Sequence, residues 1–377
     1  MAQQRAPLFT SANGLHRLAI SETDPRAPND GQIHYMPLPE NTWSFTDLAS
    51  AINIGLEIME TPPGKAALMR LGSRLVQEWG VQNEPCYRGG SRQMAGYVDH
   101  FLSATRRDFP NVGIRDLGSP DVLASSKRFY QGNGDLNNYA PKRCVAIEYN
   151  HRRVKDMISA SKAVDELGRS RETPEGRAMR KKMLLRHKHF QFMFATATAH
   201  ELCHAFYGYI SQSGKHGQLD TPPAVTHLDY GVHQQDENDD PSDSKGESGR
   251  WVENILFGGS LEFYRDTSDD NAQPGVLHLL DSKEVAWKVH PRTILKFVEG
   301  SRQYVFPLEI SGPGISRQQR AQRGLRSLGS TAMSPYHPEV LFMRARFESR
   351  LPMYSVTREE LNVVPDKPRI IRAIRVA

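Results

Sequence analysis

Between Phe190 and Tyr207 the chain reads Phe-Gln-Phe-Met-Phe-Ala-Thr-Ala-Thr-Ala-His-Glu-Leu-Cys-His-Ala-Phe-Tyr, which sets His200 and His204 four positions apart. On a helix that spacing stacks both imidazoles on one face, where they can close on a single metal ion. Glu201 follows the first histidine directly, where its carboxylate can take a proton from water held at that ion. These residue types at this spacing are the arrangement of a zinc hydrolase. The surrounding run, mostly apolar and free of Pro and Gly before Gly208, predicts a buried helix. Two histidines and a glutamate in such a helix need a partner, and a divalent cation supplies one.

Catalytic zinc takes three protein ligands and keeps one position open, so one ligand has to come from elsewhere. The residues after His204 are Ala-Phe-Tyr-Gly-Tyr-Ile, with no further histidine at close spacing. A glutamate on a second helix is the better source. Gly246 to Gly259 reads Gly-Glu-Ser-Gly-Arg-Trp-Val-Glu-Asn-Ile-Leu-Phe-Gly-Gly, a short amphipathic helix on Trp251, Val252, Ile255 and Leu256 that the two glycines stop. Glu247 sits at its first turn and is the preferred third ligand. Glu253, six positions on, lies on a different face and is a partner behind a ligand or the substitute for Glu247. His216, His227, Asp229 and His233 lie in irregular sequence from which no geometry follows.

Hydrolysis also needs a donor to the developing oxyanion. Tyr207, Tyr230, His278 and His290 have the chemistry, and the sequence does not choose among them. Cys203 lies between the two histidines, about 100° around a helix from His204, and is expected to pack behind the site as a small core residue.

The positioning elements read as follows. Residues 1–40, with scattered Pro, Asn, Asp and Gly, are expected to be an irregular lead-in. Trp43 to Glu57, capped by Thr42 or Ser44, and Gly64 to Trp79, started by Pro62 and Pro63, predict a packed helical pair. Residues 80–140 are broken by Gly and Pro, and their Gly-rich pieces read as loops. Arg143 to Tyr149 alternates and is a strand, which would offer an extended substrate a sheet edge ahead of the motif helix. Val154 to Lys188 predicts a helix, a loop at Pro174 and Gly176, and the approach to the motif. The acidic stretch from Gln234 to Gly246 reads as a loop, with no regular calcium pattern. Pro291 to Glu299 is helical, residues 311–335 are rich in Gly, Ser, Arg and Gln, and Val340 to Arg350 has helical character.

At 377 residues the chain can bury a large core as one elaborated domain. No apolar run reaches the roughly 20 residues of a membrane span. The first residues lack the apolar stretch of a secretory signal, and three cysteines leave one unpaired in any disulfide scheme. A reduced, cytoplasmic setting is therefore expected. The net charge of +5 is dispersed, and its basic clusters at 169–188 and 317–326 lack interleaved aromatic residues, so neither a nucleic-acid partner nor a membrane is expected.

His200-Glu201-Leu202-Cys203-His204 followed by a glutamate-bearing helix resembles the gluzincin group of zinc metallopeptidases. Together with Gly-Glu-Ser-Gly-Arg-Trp and Leu-Phe-Gly-Gly it also resembles uncharacterised HExxH proteins of filamentous fungi. The resemblance covers about residues 190–265 and departs from the best-known gluzincin pattern in having Trp251 four residues after Glu247. It implies His200, His204 and Glu247 as ligands of Zn2+, with Glu201 as general base. The expected fold is α+β and zincin-like: a lead-in over 1–40, a catalytic domain with N-terminal helices over 41–310, and a partly flexible C-terminal extension over 311–377. The expected activity is hydrolysis of a peptide bond. The alternatives are a zinc or non-haem iron enzyme acting on a small molecule and a non-catalytic metal-binding scaffold.

Overall fold

The structure is a computed structural model and describes residues 14–27, 33–81, 91–119, 121–128, 136–169, 173–211, 221–228, 246–300, 302–330, 353–356 and 374–375. The expected irregular lead-in instead contains three strands, Leu15–Leu18 (β1), Ile20–Thr23 (β2) and Tyr35–Pro37 (β3). Segments such as Ile-Ser-Glu-Thr are too short and polar to show a periodic pattern. Their order comes from distant partners: β2 pairs with residues 112–114 and β1 with residues 354–356.

Two helices follow, Trp43–Glu60 (α1) and Pro62–Val81 (α2). Thr42 is the N-cap of the first, its hydroxyl accepting from the Phe45 amide at 3.3 Å. The stretch read as broken by Gly and Pro holds a third helix, Met94–Arg107 (α3), and two strands, Asn111–Arg115 (β4) and Ala124–Arg128 (β5). A single turn, Pro141–Cys144 (α4), leads into Val145–Asn150 (β6), then His151–Arg169 (α5) and the long helix Pro174–Ser211 (α6). Pro174 opens α6, where a missing N–H is harmless, and Gly176 lies within it, so the predicted interruption falls ahead of Pro174.

Beyond the motif lie Ser248–Phe257 (α7), Ser260–Tyr264 (β7), Val276–Leu280 (β8), Ala286–Lys288 (β9) and Pro291–Val298 (α8). The C-terminal region adds Arg317–Gln322 (α9), Ser327–Ser330 (β10), Tyr354–Val356 (β11) and Ile374–Arg375 (β12). Where described, it joins the rest of the chain through strands, β10 pairing with β7 and β11 with β1. The helical reading of 340–350 lies outside the described residues.

Helix and sheet are mixed in an α+β arrangement. The largest sheet has the order β3-β2-β4-β6-β5, with β2, β4 and β6 parallel and the edge strands β3 and β5 antiparallel to their neighbours. The strand predicted ahead of the motif is β6, which is interior; β5 covers it, so it offers no edge. One face of this sheet sends Val112, Ile114, Ile147 and Tyr149 into the core. α6 runs through that core among α1, α5, α7 and α8. Phe190, Phe192, Met193, Phe194, Leu202 and Phe206 are all fully buried, so apolar side chains point outward all round, as a helix enclosed by protein requires. α1 comes closest to it at Gly55, where an added Cβ would meet the Ala195 carbonyl oxygen at 2.5 Å. A second sheet, β10-β7-β8-β9, follows α7. No helix among the described residues is long and apolar enough to cross a membrane.

Candidate metal centre

His200 and His204 stack along α6 with ring centroids 5.0 Å apart, and their Nε2 atoms face each other at 3.2 Å. Glu247, the N-cap of α7, brings Oε1 to 3.3 Å from His200 Nε2 and 2.5 Å from His204 Nε2. The three groups come from two elements whose separation in sequence is closed by a backbone clamp. Gly246 N–H donates to Thr221 O at 2.7 Å and Glu247 N–H donates to Val225 O at 2.8 Å. A Cβ on Gly246 would lie 1.9 Å from Pro222 O, so only glycine permits this approach. The other Glu247 oxygen, Oε2, accepts from the Arg250 amide at 2.7 Å, which fixes the carboxylate's orientation.

Each imidazole is also held from behind. His200 Nδ1 lies 2.8 Å from Glu253 Oε1, and His204 Nδ1 lies 3.0 Å from Ser248 Oγ. Glu253 is itself anchored, its Oε2 accepting from Leu261 N–H at 2.9 Å with the fully buried Arg250 guanidinium 3.8 Å away. Arg250 continues to Glu262 at 3.2 Å, and Ser327 on β10 donates to Glu262 at 2.9 Å. Glu253 therefore stands behind His200 rather than at the point of convergence. A proton donated from His200 Nδ1 to Glu253 leaves the Nε2 lone pair facing forward, the tautomer a metal needs.

The fit to a divalent cation follows from these contacts. Ligand atoms of His200, His204 and Glu247 all lie within 4.8 Å of one another. A tetrahedral zinc with Zn–N of about 2.0–2.1 Å separates two nitrogens by roughly 3.3 Å, close to the 3.2 Å between the Nε2 atoms. Glu247 Oε1 is turned to the two Nε2 atoms, where a cation bound between them would meet it. Burial opposes charge on His200, but Glu247 and Glu253 outweigh it and raise its pKa to about 10. Burial likewise opposes charge on Glu247, yet the two imidazoles hold its carboxyl well below the ordinary range.

Glu201 is almost fully buried. Its charge acts on Tyr149, a buried β6 residue whose hydroxyl bonds to Thr198 at 2.7 Å and whose pKa is raised, mainly by burial. Cys203 is packed in the core with its thiol toward Ala199 O at 3.2 Å, and burial pushes that thiol well above its ordinary pKa. Cys144 and Cys203 are free and buried.

The oxyanion candidates are dispersed. Tyr207 is fully buried, 5.7 Å from the Trp79 ring, with the Arg128 guanidinium 4.4 Å over its face. His278 is on β8, bonded to Val276 O at 2.9 Å and edge-on to Tyr264, so it does not join the imidazoles. Nor does His290, which caps α8 by accepting from Arg292 N–H at 3.2 Å. Tyr230, together with His216, Asp229, His233 and the acidic stretch as far as 245, lies outside the described residues. His227 bonds Leu280 O at 3.2 Å.

Sequence reasoning passed over Ser248, Gly249 and Arg250. A Cβ on Gly249 would fall 2.3–2.4 Å from three ring atoms of His200, so the imidazole occupies the space a side chain would take. The signal was available, because glycine in the first turn of a helix is unfavourable by about 1 kcal/mol relative to alanine and calls for a reason. Comparison of the chain with protein-family models, with curated proteins and with solved structures gives no match in any of the three.

Proposed function

We propose that this chain is a zinc-dependent, gluzincin-like metallopeptidase. The observation that carries the reading is the convergence of His200 Nε2, His204 Nε2 and the buried Glu247 Oε1 on one point, with Glu201 next in sequence to the first ligand. Zinc held by these three residues would polarise a scissile carbonyl and lower the pKa of its water towards about 7.

The chain's own residues supply the rest. Glu201 takes one proton from the attacking water as its oxygen joins the carbonyl carbon. It then passes that proton to the amine nitrogen as the C–N bond breaks, leaving an acid and an amine. Glu253 keeps His200 in the required tautomer, and Ser248 orients His204. Burial keeps the Cys203 thiol protonated, so it does not compete as a ligand or a nucleophile.

The test is metal analysis of the purified chain together with hydrolysis of a quenched-fluorescence peptide mixture. One zinc per chain is expected, lost in His204→Ala and Glu247→Ala. Glu201→Gln should keep the zinc and lose about 10³-fold in turnover. Undiminished hydrolysis by Glu201→Gln, or a metal content unaffected by the ligand substitutions, would overturn the proposal.

A further inference from the structure

An open groove of about 600 Å³ lies between α2 and α7, the helix that Glu247 caps. Its floor is apolar: Met69, Trp251 and Ile255 are partly buried and packed on the main core while also lining the groove. Its α2 wall carries Arg70 and Arg74, and no carboxylate lines it among the described residues. Arg74 reaches Glu78 at 2.8 Å. Arg70 is exposed and makes no hydrogen bond or ion pair among the described residues.

The groove's position along α7 relates it to the ligands. Trp251 and Ile255 follow Glu247 by four and eight positions, which at 100° per residue leaves them within about 80° of it, on one side of the helix. At 1.5 Å rise per residue they lie about 6 and 12 Å along the axis from Glu247. An extended peptide advances about 3.3 Å per residue, so these distances match side chains two to four residues from a bond placed at the metal centre.

We infer that the α2–α7 groove is the specificity site of the proposed peptidase and takes a peptide segment pairing an apolar side chain with a carboxylate, two to four residues from the scissile bond. The inference rests on the proposed function for its substrate and names what that reading leaves open. The apolar side chain covers Trp251 and Ile255, and the carboxylate meets Arg70, whose planar fork suits it. Trp251, where the sequence departs from the best-known gluzincin pattern, thereby gains a role as the floor of this site.

Two fluorescent peptides of equal length test it, one with leucine and two glutamates in the relevant positions and one with lysines in place of the glutamates. The zinc-loaded full chain should cleave the acidic peptide with a KM about tenfold lower than the lysine peptide, the gap narrowing at high salt. Arg70→Glu, on an exposed turn of α2, should reverse that order in KM rather than kcat, and Arg70→Lys should retain the original order. Fluorescence anisotropy of both peptides on zinc-loaded Glu201→Gln, with and without Arg70→Glu, measures binding without turnover. If no peptide is cleaved, the proposed function has failed, and the anisotropy alone judges the groove. Equal affinity for the two peptides, or an order that Arg70→Glu leaves intact, overturns the inference.

Discussion

Two of the buried carboxylate centres among the described residues handle charge in opposite ways. At Glu57 on α1 the protein provides every partner. Asn53 donates to Oε1 at 2.9 Å, while Arg302 and Tyr304 donate to Oε2 at 2.9 and 2.5 Å. Asn53 in turn accepts from Arg106 at 2.5 Å, and Arg106 forks onto Glu60 at 3.0 and 2.6 Å. At Glu247 one oxygen is bonded to a backbone amide, and the other is turned to the two imidazole nitrogens. The first centre is complete as folded. In the second, the proposed function places a cation brought from outside, and on that proposal the contrast separates a structural buried charge from a functional one better than burial does.

The contrast can be broken. The largest expected effect on stability is at the complete centre, where Glu57→Ala strands Arg302 and should remove about 3 to 5 kcal/mol, measured by denaturant titration. A chelator should leave that loss unchanged. The unsubstituted chain should instead be destabilised by a chelator, by about 2.7 kcal/mol relative to zinc at a hundred times its Kd. A chain indifferent to chelation would place both centres in the same class.

Acid could confuse the two, because a half-buried histidine elsewhere on α6 also responds to it. Burial lowers the pKa of His189, on α6, from 6.5 to about 4. The unfolded chain therefore takes up this proton first, and stability should fall as pH drops from about 6.5 to about 4, by roughly 2 to 4 kcal/mol. His189→Gln should flatten that limb of the stability curve in the metal-free protein.

Smaller effects sharpen the picture within the metal centre. Gly249→Ala should weaken zinc binding about 10- to 100-fold by displacing the His200 ring, while α7 itself gains helix propensity of about 1 kcal/mol. Lower metal affinity without loss of apo stability would mark the glycine as serving the site. Glu253→Gln, which keeps the shape but weakens the hold on His200 Nδ1, should lower zinc affinity by about tenfold in competition with a chromogenic chelator.

What the sequence revealed follows the range of the interactions involved. His200, Glu201 and His204 were legible because one helical turn relates them, and Glu247 because a glutamate beginning a well-patterned helix is a local feature. Thr42 as a cap, Pro62 as a helix start and the Gly258 stop, with its φ of 90°, were read on the same grounds. Helical phase set Glu253 apart from Glu247 and left it as a partner behind a ligand or a substitute, while the contacts of Glu253 with His200 and of Ser248 with His204 depend on how α7 rotates against α6, which no local pattern records. β1, β2 and β10 are ordered by partners far along the chain, and α3 was obscured by the Gly-rich sequence around it. The clamp from Thr221 and Val225 onto Gly246 and Glu247 is made of backbone groups, which every sequence has.

The pairing of β1 with β11 carries a consequence for biosynthesis. Leu15 aligns with Val356, so the first strand emerges from the ribosome about 340 residues before its mate. At about 5–20 residues per second that is a wait of roughly 20 to 70 s. Throughout it the nascent chain carries β1 without this mate, and a chaperone that shields it would have to release it only once β11 has emerged.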